Sequence, residues 1–175
     1  MTKIVDQMAE ALNAFEACST EPALIGGLAL AVHNYVRATQ DIDFLADAND
    51  ADRLDRLLLD LGYRCLHRSA DAANYVRGDE GLDFLYAHRP TSRELLRDAP
   101  TRDTALGRLR VVSAEGLIGF KLQAFVNNPR RVRDIDDIRH LLRNNHSALN
   151  MDQVRGYFAL FQREALLDEL LSDQR

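Results

Sequence analysis

The sequence predicts an α+β fold, with a mixed β-sheet and flanking helices followed by a helical C-terminal part. Strand-like and helical patterns alternate up to residue 112, and from Ser113 onward only helical patterns remain. We therefore expect two regions, residues 1–112 and 113–175. Hydrophobic residues make up 46% of the 175-residue chain and charged residues 28%, so the chain has enough apolar side chains to build a core.

Apolar residues that recur every three or four positions predict the helices of the first region. In one of them, Asn49 or Asp50 can cap the N-terminus and Gly62 can end the helix. The predicted helices cover residues 3–18, 28–33, 49–61 and 90–97.

Alternating polar and apolar residues predict the strands, most clearly in the run Asp-Ile-Asp-Phe-Leu at 41–45. Gly78 and Gly81 bracket a turn between two later strands, which predicts a hairpin. The predicted strands cover residues 23–25, 41–45, 63–67, 74–77, 82–86 and 109–112.

The last third of the chain predicts consecutive helices. Ser113 caps the first, and Pro129 separates it from the second. Asn150 or Asp152 opens a third, and a short helix follows Arg163.

Charge and composition exclude several classes of protein. The net charge of −5 argues against a general nucleic-acid coat protein. Cys18 and Cys65 lie in no zinc-ligand pattern, so we expect reduced thiols. No apolar run approaches the length of a membrane span and the N-terminus does not read as a secretory signal, so we expect a cytoplasmic protein.

Two acidic residues on one predicted strand suggest a metal site. Asp41 and Asp43 are two positions apart, so on a strand their carboxylates project from the same face. They would repel each other, and a divalent cation such as Mg²⁺ would remove that cost. The alternative is a strand end that carries two solvated acids.

Asp83 is a single acid in the otherwise apolar run Gly-Leu-Asp-Phe-Leu-Tyr. A carboxylate buried there would be costly unless it were paired or bound to metal. If its strand lies beside the first, three carboxylates converge in the arrangement of a two-metal phosphoryl-transfer site. The alternative is an edge strand with Asp83 facing water.

Gly26 and Gly27 lie between a predicted strand and a predicted helix. Such a pair lets the backbone approach a ligand closely and offers N–H groups to an anion. The alternative is a simple connection between a strand and a helix, where glycine pairs are also common.

The spacing of the glycine pair, the Asp-x-Asp strand and a third acidic strand resembles the signature of the DNA polymerase β-like nucleotidyltransferase superfamily. Residues 37–43, Arg-Ala-Thr-Gln-Asp-Ile-Asp, are similar to a run common in its abortive-infection-type members, many of which are toxins of toxin–antitoxin pairs. Arg37 and Thr39 precede the acidic strand and could either contact nucleotide phosphates or have a structural role in holding the loop.

The resemblance continues into the helical region, where this group has a lysine followed by an arginine-rich turn and an aspartate. Lys121 matches the lysine, and Asp134 or Asp137 matches the aspartate. Lys121 lies in a helix that is apolar on nearly all sides, so its ammonium must snorkel, pair or bind a ligand. It could reach a triphosphate or form a salt bridge with Asp134.

The resemblance implies transfer of a nucleoside monophosphate from an NTP to an acceptor hydroxyl, with two Mg²⁺ or Mn²⁺ ions. Asp41, Asp43 and Asp83 would be the metal ligands. The acceptor would be RNA, tRNA or a protein, and an antitoxin would be a further partner. The arginine-rich segments 86–110 and 129–143 could meet a phosphate backbone or an antitoxin. Two alternatives stay open: a small-molecule acceptor such as an antibiotic, and a non-catalytic module that binds nucleotide or a partner.

Overall fold

The computed structural model describes residues 3–172, which form two compact units. Within this range, the first unit comprises residues 3–29 and 37–112, and the second comprises residues 30–36 and 113–172. No helix in the described part of the chain is long and apolar enough to cross a membrane.

The first unit is built on a seven-stranded mixed sheet with strand order β3-β4-β5-β2-β1-β7-β6. β2 pairs with β5 and β1 pairs with β7 in parallel, whereas the other neighbours are antiparallel. The predicted mixed sheet with flanking helices is therefore confirmed. The strands are β1 (Ala23–Ile25), β2 (Asp41–Asp47), β3 (Arg64–Arg68), β4 (Ala72–Arg77), β5 (Glu80–Ala87), β6 (Thr101–Thr104) and β7 (Gly107–Val111).

One face of this sheet carries an aromatic core. Phe15 of helix α1 packs edge-on against Phe44 of β2, with ring centroids 4.7 Å apart, and also contacts Phe84 of β5. All three side chains are almost fully buried. Because side chains alternate along a strand, this core leaves the residues on either side of Phe44 pointing to the opposite face. The helices of the first unit are α1 (Lys3–Phe15), α3 (Ala51–Asp60) and α4 (Pro90–Asp98), and α2 (Gly26–Val32) begins in it.

Three local features differ from the sequence prediction. β6 was missed because its sequence, Thr-Arg-Asp-Thr, has no apolar alternation; the strand pairs with β7 at the sheet edge. The glycine pair does not precede a helix but forms the first turn of α2. Residues 48–50 form a short 3₁₀ helix before α3, and Asp47 rather than Asn49 or Asp50 makes the side-chain cap.

The second unit is helical, as predicted for the C-terminal part. Ser113 caps its first long helix by accepting a hydrogen bond from the Gly116 N–H (3.1 Å), and Asn150 caps the third in the same way. These helices are α5 (Ala114–Asn127), α6 (Val132–Asn144), α7 (Met151–Leu160) and α8 (Glu164–Ser172).

Residues 30–36 belong to the helical unit although they precede the expected boundary at 112. The Tyr35 ring stacks on His140 of α6 with centroids 4.1 Å apart. The side-chain amides of Asn144 and Asn145 donate to the carbonyl oxygens of Asn34 and His33, at 2.7 and 3.0 Å. Local sequence pattern does not reveal these contacts, because they join segments more than 100 positions apart.

Candidate active site

The three candidate acids lie side by side on one face of the sheet. β2 and β5 are parallel neighbours, with Asp43 opposite Asp83 and Asp41 opposite Gly81. Paired residues of adjacent strands share a face, and Asp41 and Asp43 share one by alternation. All three carboxyl groups therefore lie opposite the aromatic core.

Gly81 provides the space that the Asp41 carboxyl group occupies. A Cβ atom built on Gly81 would lie 2.1 Å from Asp41 Oδ1 and 2.9 Å from its Cγ, which is too close for either atom. Glycine is therefore required beside Asp41 for this placement of the carboxyl group. From sequence alone Gly81 is predicted only as a turn residue, although a glycine two positions before an acid on a strand is a signal for this role.

Asp83 is half-buried, and its surroundings perturb its ionisation. The largest effect is burial, which raises the pKa of Asp83. A hydrogen bond from the Asn74 side chain lowers this pKa, and the nearby Asp41 carboxylate raises it. The net shift is upward. Asn74 lies directly opposite Asp83 on β4. Asn74 was not predicted as a site residue, because an asparagine within a strand has no sequence pattern that marks its partner.

Gly26 brings the start of α2 against Asp43. Its φ of +66° lies in the left-handed region that favours glycine. A Cβ atom there would lie 2.0 Å from Asp43 Oδ2. Both the backbone conformation and the close approach therefore require glycine at this position.

Gly27 has a similar close contact with Thr39. A Cβ atom on Gly27 would lie 2.7 Å from the Thr39 Cβ and 2.8 Å from its Oγ1. Thr39 Oγ1 also donates to the Asp41 carbonyl oxygen at 3.4 Å, and Arg37 Nη1 donates to the Ala38 carbonyl oxygen at 3.2 Å. Thr39 thus packs on the glycine pair next to the acidic strand.

In the second unit, Lys121 lies in a cluster of buried charges. Its Nζ is 3.0 Å from Asp134 Oδ1 and 2.8 Å from Asp137 Oδ2, and the Lys121 side chain is only 12% exposed. Arg131 Nε donates to Asp134 Oδ2 at 2.5 Å. Burial acts to raise the pKa of Asp134, but Arg131 and Lys121 outweigh it, so the pKa lies below its usual value. Both Asp134 and Asp137 are therefore partners of Lys121.

The acidic face offers the right donors for a hard divalent cation. Carboxylate oxygens are the ligands that Mg²⁺ prefers, and neighbouring strands are separated by about 4.8 Å. A cation would also relieve the repulsion that raises the pKa of Asp83. Among residues 3–172, no group of three or more His, Cys, Asp or Glu side chains is already arranged to hold a metal ion.

Comparison with known proteins identifies the class of fold. The chain is similar to the antibiotic-resistance factor ANT(2″)-Ia in complex with adenylyl-2″-tobramycin, with 21% identity over 92% of this chain and 98% of that one and a TM-score of 0.65. It is also similar to the lincomycin-bound lincosamide antibiotic adenylyltransferase LnuA, with 17% identity over 81% and 96% of the two chains and a TM-score of 0.57. A nucleotidyltransferase-like protein from Paracoccidioides brasiliensis matches at 17% identity over 97% and 92%, with a TM-score of 0.59. The fold is thus that of the nucleotidyltransferases.

A family model places the chain more closely. Residues 2–169 match the model of a family described as uncharacterised nucleotidyltransferases, and the chain belongs to that family. Comparison with curated protein sequences gave no match. Family membership supports an enzyme with nucleotidyltransferase activity.

Proposed function

We propose that this protein is a metal-dependent nucleotidyltransferase that moves a nucleoside monophosphate from an NTP to an acceptor hydroxyl group. The observation that carries the proposal is the in-register pair Asp43 and Asp83, with Asp41 on the same face and Gly26 against Asp43. Phosphoryl transfer needs carboxylates that hold metal ions close to a backbone segment that can bind phosphate, and both are present here.

Each residue has a role in this proposal. Asp41 and Asp43 would hold two Mg²⁺ or Mn²⁺ ions, and Asp83 would hold one of them. Bound there, the ions would stabilise charge on the attacking and leaving oxygens. Asp83 is the group that we assign to accept the proton of the acceptor hydroxyl, because it lies at the edge of the acidic cluster that faces β4.

Further groups would bind the triphosphate. Gly26 and Gly27 let it approach the backbone, and Arg37 and Thr39 lie in the segment that packs beside them. Lys121, held by Asp134 in the helical unit, is a further candidate for a phosphate contact. These groups would act by positioning and by electrostatics.

The order of the strands suggests from which side the acceptor arrives. On the β1 side of Asp43 lie Gly26 and Ile25, and the Ile25 side chain is only 5% exposed. On the β5 side, Leu85 shares the acidic face and is 38% exposed. In-line displacement needs the attacking and leaving groups on opposite sides of the phosphorus. With the triphosphate at the glycine pair, we assign the acceptor to the open β4–β5 side, next to Asp83.

The acceptor has two candidate classes. The resemblance to abortive-infection-type proteins favours RNA, tRNA or a protein, with a toxin role and an antitoxin partner. The fold likeness to ANT(2″)-Ia and to LnuA favours a hydroxyl group of a small molecule, such as an antibiotic. A third candidate is a module that binds nucleotide without catalysis, and the presence of all three acids argues against it.

The test is a label-transfer assay. The full chain is incubated with Mg²⁺ and each α-labelled NTP in the presence of total RNA, cell-extract protein, or aminoglycoside and lincosamide antibiotics. We expect label on one acceptor class, and a loss of at least about 100-fold in Asp43→Asn, because this carboxylate would act on the transition state. Asp60→Asn, which alters an exposed acid of α3, is the matched control.

A second measurement does not depend on the acceptor. Mn²⁺ binding, followed by calorimetry, should weaken in Asp43→Asn and remain unchanged in Asp60→Asn. Transfer that is equally fast in Asp43→Asn would contradict the proposed site. Mg²⁺-dependent NTP binding without transfer to any acceptor would favour the non-catalytic module.

A further inference from the structure

A cavity in the first unit lies away from Asp41, Asp43 and Asp83. Its volume is about 370 Å³, and Arg93, Arg97 and Arg110 line it together with one acidic residue, Asp47. Three arginines against one aspartate give these charged groups a net charge of +2, whereas the whole chain carries −5. The cavity is therefore a local positive site on a negatively charged protein.

Arg110 is a fixed cation in the wall of this cavity. Its guanidinium donates to the carbonyl oxygens of Ala99 (3.2 Å), Glu21 (2.8 Å) and Arg97 (3.1 Å), and also to that of Leu96. These acceptors are all carbonyl oxygens, several of them at the C-terminal end of α4. Since the end of a helix offers only about half an elementary charge, the guanidinium charge is only partly balanced.

Arg93 and Arg97 lie one turn apart on α4, so their side chains emerge on the same side of the helix. Both residues are exposed. Arg97 pairs with the exposed Asp98 at 2.8 Å, and surface pairs of this kind contribute at most about 1 kcal/mol. The carboxylate of Asp47 accepts a hydrogen bond from the Asn49 backbone N–H at 2.8 Å, which partly satisfies the one negative charge in the wall.

We propose that this cavity binds a phosphate group. Guanidinium groups recognise phosphate oxygens by paired, charge-assisted hydrogen bonds, and the volume lies within the range of ligand sites. The site is separate from the acids: Asp47 lies four positions along β2 from Asp43, about 13 Å at about 3.3 Å per residue. The proposal therefore goes beyond the transferase function and does not depend on it.

The test uses inorganic phosphate as the probe. The full chain, free of Mg²⁺ and at low ionic strength, is titrated with phosphate and followed by amide chemical shifts and calorimetry. We expect saturable binding, with shifts at Asn49, Arg93 and Arg97. The double variant Arg93→Gln/Arg97→Gln should bind at least about 10-fold more weakly, because two charge-assisted contacts are lost.

The matched control is the double variant Arg155→Gln/Arg163→Gln, which removes two exposed arginines elsewhere and should bind like the wild type. Absence of saturable binding, or equal binding by the Arg93→Gln/Arg97→Gln protein, overturns the proposal. Phosphate shifts that spread equally over all exposed arginines also overturn it, because they would show non-specific attraction.

Competition then identifies the source of the phosphate. A phosphate monoester such as glucose 6-phosphate that displaces inorganic phosphate indicates a small phosphorylated ligand. Displacement by a single-stranded oligonucleotide without terminal phosphates indicates a nucleic-acid backbone. If neither compound competes, the ligand of the cavity is free inorganic phosphate rather than a phosphate ester.

Discussion

Replacing Gly81 with alanine should remove most of the transferase activity while the fold persists. The added methyl carbon would lie 2.1 Å from Asp41 Oδ1, and 3.3 Å from the Asp41 Cβ. The atoms in conflict thus belong mainly to the end of one exposed side chain. The backbone of Gly81 is not in the left-handed region, so alanine is compatible with it. Asp41 can therefore rotate away, and the acid rather than the strand is displaced.

The expected magnitudes separate stability from activity. Alanine within a strand gains roughly 0.5–1 kcal/mol over glycine, since glycine loses more conformational freedom on folding. Forcing Asp41 off its preferred rotamer costs about 0.5–1.5 kcal/mol. The free energy of unfolding should thus change by no more than about 1 kcal/mol. A carboxylate that moves by about 1 Å should reduce the rate about 100-fold.

The assay compares Gly81→Ala with Gly156→Ala by urea unfolding, label transfer and Mn²⁺ binding. Gly156 lies in α7 with no atom within 4 Å of an added Cβ, so its alanine variant should be up to about 1 kcal/mol more stable and equally active. Wild-type rates and Mn²⁺ affinity in Gly81→Ala would refute the reasoning. A loss of more than about 2 kcal/mol would also refute it, because the strand itself would then have been disturbed.

Three further predictions concern stability and reactivity. Asp134→Asn should cost about 1–3 kcal/mol in urea unfolding, because Lys121 loses one of its two described carboxylate partners and keeps Asp137. The pKa of Asp134 is lowered in the folded protein, so its carboxylate should stabilise the wild type above the ordinary carboxyl range. That stabilisation should be lost as the pH falls below about 4. An Asp134→Asn variant whose free energy of unfolding depends on acid pH as the wild type's does would contradict the assignment. Ser113→Ala should cost about 1 kcal/mol, since a capping hydrogen bond is lost, and an unchanged urea midpoint would count against the cap. Burial raises the pKa of Cys18 to about 11. In a Cys65→Ser background, a thiol reagent should therefore react with Cys18 slowly at pH 8 and faster toward pH 11. Reaction at pH 8 as fast as that of free cysteine would contradict this prediction.

The elements of the fold were mostly predictable, because the patterns that define them are local. The alternation at residues 41–45 predicted β2, and the glycines at 78 and 81 predicted the hairpin of β4 and β5. β6 was not predictable, since its residues are all polar and its pairing with β7 leaves no alternation of polar and apolar residues in the sequence. The order of the strands in the sheet could not be predicted from local sequence patterns either, because strand pairing joins segments that are far apart in the chain.

The candidate site divides in the same way. That Asp41 and Asp43 share a face follows from their spacing alone. That Asp83 lies opposite Asp43 depends on which strand pairs with β2, and the sequence offered this only as a condition. The roles of Asn74 and Gly81 could not be predicted, because they depend on the register of β5 with its two neighbouring strands. That register places Asn74 opposite Asp83 and Gly81 opposite Asp41.

The charge cluster around Lys121 limits what this residue can contribute to nucleotide binding. The described ion pairs of this cluster join two carboxylates to two basic groups, Lys121 and Arg131. The ammonium charge of Lys121 is therefore offset by close carboxylates, which weakens its long-range attraction for a triphosphate. An ammonium group has three N–H donors, and the two aspartates engage two of them. A contact with a phosphate oxygen would thus depend on the orientation that Asp134 and Asp137 impose on Lys121. Removing either carboxylate would change the geometry of the ammonium group as well as its charge balance.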